Sequence, residues 1–207
     1  MRKYGILIAC ISLLLLPAAA EGAAAAGGET GNLVVPSADL LQQGQVTASW
    51  RQEAKGHTLS LSAAPAERLE VTVQRSVQPG EATLQGGMKY ALRPETIFQP
   101  GIAVGVEDAA AAAKRSFYGV VSKTLPYGVR VHAGLGNGRF KGPFGALEVR
   151  PFLKSRPGVF PDTALYAEYT GRHAVYGLRL SLVRGAKLEF GVDGHEHFIG
   201  VSYQYGL

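Results

Sequence analysis

From Gln45 onward the chain alternates, apolar then polar, in one short stretch after another. Leu69, Val71 and Val73 share a face opposite Glu70, Thr72 and Gln74. Val129, Val131, Ala133 and Leu135 oppose Arg130 and His132. Tyr176, Leu178, Leu180 and Leu182 oppose Gly177, Arg179 and Ser181, and Leu188, Phe190 and Val192 oppose Lys187, Glu189 and Gly191. A period of two is the signature of a strand with two unlike faces. Turn chemistry separates the stretches at Lys55-Gly56, Gln78-Pro79-Gly80, Leu125-Pro126-Tyr127-Gly128, Gly142-Pro143, Arg156-Pro157-Gly158, Arg184-Gly185 and Asp193-Gly194. The pattern predicts strands near 45–53, 57–63, 67–77, 82–93, 100–107, 115–124, 127–136, 144–153, 163–171, 173–183, 187–193 and 197–205. That is about twelve, or ten if two weak ones merge. No helix of ten residues is expected; the Ala109–Ala113 run fits one helical turn inside a loop.

Two architectures produce such strands. A soluble sandwich or lipocalin-like barrel turns the apolar face inward, whereas a transmembrane barrel turns it to lipid and its polar face to the lumen. Alternation alone does not choose. Charged residues are only 18% of the chain, below the usual quarter, yet no stretch after residue 30 approaches the roughly 20 apolar residues of a membrane helix. The formal charge of +5 falls to about +3 without Arg2 and Lys3, and no basic cluster is interleaved with aromatics. Nucleic acid is therefore not an expected partner.

The N-terminus reads as an export signal over residues 1–20. Arg2 and Lys3 precede the apolar run Gly5–Leu16, and Pro17-Ala18-Ala19-Ala20 offers a small-residue cleavage site. Residues 21–42 read as a flexible leader and N-terminal segment, and 43–207 as the β-domain. Leu7-Ile8-Ala9-Cys10 formally matches a lipoprotein box, but cleavage there leaves most of the apolar run on the mature side. Cys10 is the only cysteine, so its loss with the signal leaves no disulfide and no thiol chemistry.

The last strand favours the membrane. Phe198-Ile199-Gly200-Val201-Ser202-Tyr203-Gln204-Tyr205 resembles the C-terminal signal by which outer-membrane barrels reach their assembly machinery, with Gly200, Tyr203 and Tyr205 at its key positions. Lipid cannot satisfy backbone groups, so a spanning sheet must close on itself. Tyr166, Tyr169, Tyr176, Tyr203 and Tyr205 are candidates for interfacial girdles. Arg51, Glu70, Glu107, Arg130, Glu148, Arg150, Glu168, Arg179 and Glu189 are the expected lumen-facing charges, able to fill a narrow lumen or line a small polar path. The expected fold is an all-β, antiparallel up-and-down transmembrane β-barrel of about 10–12 strands, with short loops and no obvious plug.

Three segments together resemble a known family. The first is Gly31-Asn32-Leu33-Val34-Val35-Pro36-Ser37-Ala38 followed by Gln43-Gly44. The second is Gln99-Pro100-Gly101-Ile102-Ala103-Val104-Gly105-Val106-Glu107-Asp108. The third comprises Tyr118-Gly119-Val120-Val121-Ser122-Lys123 and Gly134-Leu135-Gly136-Asn137-Gly138-Arg139, continued by Phe144-Gly145-Ala146 and Glu148. Over residues 31–150 the chain resembles the YjbH-type proteins, outer-membrane β-barrels associated with exopolysaccharide loci. The resemblance implies a non-enzymatic barrel that supports envelope structure or exopolysaccharide export. Its implied partners are outer-membrane lipid, the barrel-assembly machinery and a polysaccharide or export apparatus. It implies no cofactor and carries over no catalytic residues.

Other chemistries have thinner support. Gly134, Gly136 and Gly138 lack the following helix and Lys-Ser/Thr of a phosphate loop, and glycines making room at a strand end are the better account. His195 and His197 can face one side of a strand, but no third His lies near, and no metal is expected. His132 or His173 with Ser122 or Ser181 would serve a lipid-modifying enzyme, without a Gly-x-Ser-x-Gly elbow to support it. A soluble periplasmic barrel or sandwich binding an apolar ligand is the other alternative.

Overall fold

The computed structural model describes residues 24–109, 115–151 and 161–206. The expected signal peptide with Cys10, most of the Ala109–Ala113 run, the Arg156-Pro157-Gly158 turn and Leu207 lie outside the described residues. Among the described residues the strands are β1 Gln45–Glu53, β2 Gly56–Ala66, β3 Leu69–Gln78, β4 Glu81–Arg93, β5 Gly101–Glu107, β6 Ser116–Thr124, β7 Val129–Gly136, β8 Gly142–Val149, β9 Asp162–Tyr169, β10 Ala174–Val183, β11 Ala186–Asp193 and β12 Glu196–Gly206. A 3-10 turn, Pro126–Gly128, joins β6 to β7.

Each strand pairs antiparallel with its neighbours in sequence, and β1 pairs with β12 from Gln45↔Gly206 to Glu53↔Phe198, closing the barrel. Closure leaves no edge strand with unpaired backbone groups. Gln45 and Gly206 lie at one end, here called the terminus end. The connections β2–β3, β4–β5, β6–β7, β8–β9 and β10–β11 also lie there, and the other hairpins cap the far end.

The two faces decide which medium surrounds the barrel. Leu59, Leu61, Val73, Leu84, Phe117, Leu135, Leu147 and Leu165 all point outward, Leu84 at 64% and Leu135 at 66% exposure. Thr47, Arg51, Ser62, Glu70, Lys89, Ser122, His132, Glu148, Glu168, Arg179, Glu189 and Gln204 are buried on the inner face. A water-soluble barrel has the opposite polarity. Lipid is the medium in which this exterior is at low free energy, and a polar interior is the counterpart in membrane barrels. The soluble sandwich is thereby set aside.

Several sequence expectations change. The segment before β1 is no flexible leader, because Leu33, Val34, Val35, Ser37, Ala38 and Leu41 are all buried inside the barrel. The lumen does hold a plug. Tyr166 is also not a girdle residue. It shares the phase of Ala164 and Glu168 in β9, so it faces inward and is 5% exposed. Tyr169 and Tyr176 face outward, at 52% and 59% exposure, and Tyr203 and Tyr205 alternate with the buried Ser202 and Gln204. β8 ends at Val149, short of the expected 153.

The exterior assignment predicts a large cost for a charge in mid-wall. Leu61→Arg should lose about 2–4 kcal/mol in vesicle-inserted protein, read by denaturant unfolding; on a water-exposed surface the change would be close to neutral.

Candidate functional site

The site is the interior, where the segment 24–44 meets the wall. Leu33-Val34-Val35 and Ala38 give this segment aliphatic side chains but no strand-length alternation, so it folds into two small loops. Antiparallel bridges Ala24↔Thr30 and Gly31↔Pro36 close them. Internal bonds such as Asn32 N–H to the Val35 carbonyl, 2.9 Å, and Ala26 N–H to the Leu33 carbonyl, 3.0 Å, satisfy part of the backbone. Gly44, at φ +82°, turns the chain out into β1.

The wall satisfies much of the rest, and it does so by charge. Carboxylates accept the plug's N–H groups. Glu168 takes three consecutive amides, Leu33 at 2.6 Å, Val34 at 3.0 Å and Val35 at 2.7 Å. Glu70 takes Thr30 N–H at 2.6 Å and Leu41 N–H at 3.0 Å. Cations donate to the plug's carbonyls. Arg179 reaches Gly31 O at 3.2 Å and Asn32 O at 2.7 Å, Arg51 reaches Leu33 O, Arg139 reaches Val34 O at 3.1 Å, and Lys89 reaches Thr30 O. Hydrogen bonds to an ionised partner are roughly twice as strong as neutral ones. A run of three amides around one carboxylate is also an anion-binding nest.

The charges hold one another as well. Arg179 Nε donates to Glu189 at 2.7 Å, Arg51 lies 3.4 Å from the same carboxylate, and Lys89 lies 3.8 Å from Glu70. Arg139 bonds Glu107 at 2.6 Å and pairs with Glu29 of the plug. Arg150 bonds Glu148 at 2.7 Å. At the terminus end Arg130 grips Asp39 of the plug and Glu95 of the β4–β5 loop, the latter at 2.7 Å.

Apolar contacts complete the seat. Val35 and Ala38 pack with Ala103, Tyr118, Val120, Phe140, Phe144 and Ala146. On the other side Leu33 and Val34 pack with Ala164, Tyr166, Val175 and Phe198. Tyr166 carries the Arg179 guanidinium, 5.0 Å from its ring centroid, and accepts a hydrogen bond from it at 3.0 Å. Gly134 makes room for the Phe144 ring, which would stand 2.2 Å from a Cβ there. Gly138 turns the far-end loop at φ +64°. These glycines thus serve packing and a turn.

Two recesses beside the plug are small: ≈ 40 Å³ at the terminus end beside Asn32, Arg130 and Arg179, and ≈ 90 Å³ at the far end beside Gln74, Glu107 and Arg139. A water needs about 10–15 Å³ of such space, whereas ligand pockets run to about 300 Å³ and more.

Of the nine expected lumen charges, Arg51, Glu70, Glu148, Glu168, Arg179 and Glu189 are buried on the inner face; Glu107 and Arg130 bond Arg139 and Asp39 there, and Arg150 lies just beyond β8, its side chain 42% exposed and bonded to Glu148. Sequence reasoning missed Lys89, Arg139, Glu29, Asp39 and Glu95. Lys89 was legible, since Gly87, Lys89 and Ala91 alternate with Met88, Tyr90 and Leu92. Arg139, Asp39 and Glu95 sit in irregular segments where no period applies. Of the imagined Ser–His sets, the structure joins Ser122 and His132, Oγ to Nδ1 at 2.7 Å. Ser122 also accepts Ala38 N–H at 2.8 Å and is fully buried beneath the plug. His173 pairs with Asp193 at the far end, away from both. His195 is exposed at the last hairpin tip, and His197 points outward.

The family model for YjbH, described as "Exopolysaccharide biosynthesis protein YbjH", matches residues 25–177. The chain belongs to this family. The YjbH match begins within the plug and runs into β10, so it includes both the plug and most of its seat. Comparison with curated proteins gives no match. One solved structure, described as "Unveiling the Mechanism Behind the in-meso Crystallization of Membrane Proteins", aligns with TM-score 0.41 and 11% identity over 79% of this chain and 84% of that one. Two mutants of the Rh. blastica porin align with TM-score 0.38 and 13% identity, over 73% of this chain and 56% of the porin. Scores this low mark only a loose likeness.

Glu168→Gln should keep the volume but weaken the three-amide seat, by about 3 kcal/mol for a broken buried charge contact. With Cys10→Ser and Val35→Cys, thiol labelling at position 35 should quicken about a hundredfold. The Arg130 clamp gives a pH dependence. Burial raises the Asp39 and Glu95 carboxyls, but their hydrogen bonds, above all to Arg130 and, for Glu95, the Thr124 amide, outweigh it. Both sit below their ordinary 3.8 and 4.5. Lowered folded values mean that the clamp contributes fully above the unfolded values and is lost as pH falls through the folded ones. Proteolysis near Asp39 should therefore rise only below about pH 4, and Arg130→Gln should remove that dependence.

Proposed function

We propose that this chain is a non-enzymatic outer-membrane barrel that serves exopolysaccharide export or the envelope structure around it, with a lumen sealed while its plug is seated. The observation that carries the reading is the pairing of an apolar exterior with an interior whose charges are committed to a segment of the same chain. Membership of the YjbH family supports the exopolysaccharide connection. The export-type N-terminus and the C-terminal strand ending in Tyr203 and Tyr205 support delivery to the outer membrane by the barrel-assembly machinery. With the plug seated, the recesses beside it at the two ends measure only ≈ 40 and ≈ 90 Å³, so a polymer passing through the lumen would require the plug to leave.

Three measurements test this. The protein should fractionate with the outer membrane and show heat-modifiable migration; release by osmotic shock would end the reading. Cells lacking it should release less surface polymer while still making it, and unchanged release would exclude an export role. In planar bilayers the full chain should give no steady ion current, whereas removal of residues 24–42, or the milder pair Glu70→Gln and Glu168→Gln, should open one. Equal conductance in all three forms would contradict a seal.

A further inference from the structure

The exterior wall is not uniform. Most outward positions carry Leu, Val, Phe or Tyr, but where β8, β9 and β10 meet near the far end they carry Pro143, Gly145, Ala167 and Ala174. The register sets Gly145 beside Tyr169 and Tyr169 beside Ala174, with Ala167 beside Tyr176. The small residues form a floor and the two tyrosines stand up from it. The result is a shallow, open and mainly apolar depression in the outer wall. It is continuous with the lipid-facing belt.

The far-end mouth of this recess is cationic. Lys141 immediately precedes β8, and Arg172 lies in the turn between β9 and β10; both are exposed. The two loops touch, since a Cβ on Gly171 would stand 2.9 Å from the Lys141 amide nitrogen. Arg172 is fixed over the β7–β8 loop by bonds to Gly138 O at 2.8 Å and Arg139 O at 3.1 Å. The carboxylates nearby are otherwise engaged: Glu168 faces the plug amides and Asp193 faces His173.

We infer that this recess binds a phosphate-bearing lipid of the surrounding leaflet, with an acyl chain on the small-residue floor between Tyr169 and Tyr176 and the phosphate between Lys141 and Arg172. An acyl chain suits a wall that hydrocarbon already contacts, and a phosphate suits paired cations at the interface. The inference rests on the membrane reading above.

The test uses the full chain in phosphatidylcholine vesicles holding a minor fraction of phosphatidylglycerol, with one or the other lipid brominated. Trp50 is the only tryptophan and lies outward on β1, four strands round the barrel from β9 and the recess. It serves as the control. A second form, Trp50→Phe with Tyr176→Trp, reports on the recess. Brominated phosphatidylglycerol should quench the reporter at position 176 about threefold more strongly than the same fraction of brominated phosphatidylcholine, as expected for exposed charge pairs, with no such preference at Trp50. Lys141→Glu with Arg172→Glu, or Ala167→Leu, should abolish the preference. Quenching at both sites without preference overturns the lipid site and leaves the membrane reading intact. Absence of quenching at both sites by every lipid overturns both.

Discussion

The interior of a closed barrel must satisfy its polar groups within itself. Here the wall brings Arg51, Glu70, Lys89, Glu168, Arg179 and Glu189 into a narrow space, and each buried charge would cost several kcal/mol without a partner. The segment 24–44 faces the complementary problem. As a short irregular stretch it cannot pair all of its amides and carbonyls with its own backbone. Each problem answers the other. Glu168 closes on three successive amides, and Arg179 spans two successive carbonyls. The wall carboxylates meet N–H groups and the wall cations meet C=O groups, so a displaced plug would leave both sets unsatisfied.

This arrangement gives the family motifs a physical meaning. Gly31-Asn32-Leu33-Val34-Val35-Pro36-Ser37-Ala38 is the core of the plug. Ala103, Tyr118, Ser122, Arg139, Phe144 and Ala146, from the other matching segments, all touch it or support its seat. The segments that carry the resemblance are therefore two sides of one interface. Barrel and plug are one folding problem, and any passage of material through the lumen is a question about the plug's equilibrium.

The strands were legible because a wall between two unlike media imposes a period of two on every residue. Even the inward side of Arg130 and Arg179 followed from that rule. Tyr166 shows its limit: an aromatic suits an interface in general, but its phase with Glu168 sends it inward to Arg179. The plug was not legible for a related reason. Its surroundings change from residue to residue, with Leu33 against Phe198 and Val35 against Tyr118, so no period marks it. Its Ala- and Gly-rich start also reads as a leader. Arg139 and Asp39 were missed because both lie in irregular segments and act across more than 90 residues of sequence.

Amide hydrogen exchange of the folded full chain in lipid or detergent tests the central claim most directly. If the wall's charges hold the N-terminal segment as described, Leu33, Val34 and Val35 exchange as slowly as the central residues of β9 and β10. Exchange of those three amides at the rate of a free peptide, while the strands remain protected, would contradict it.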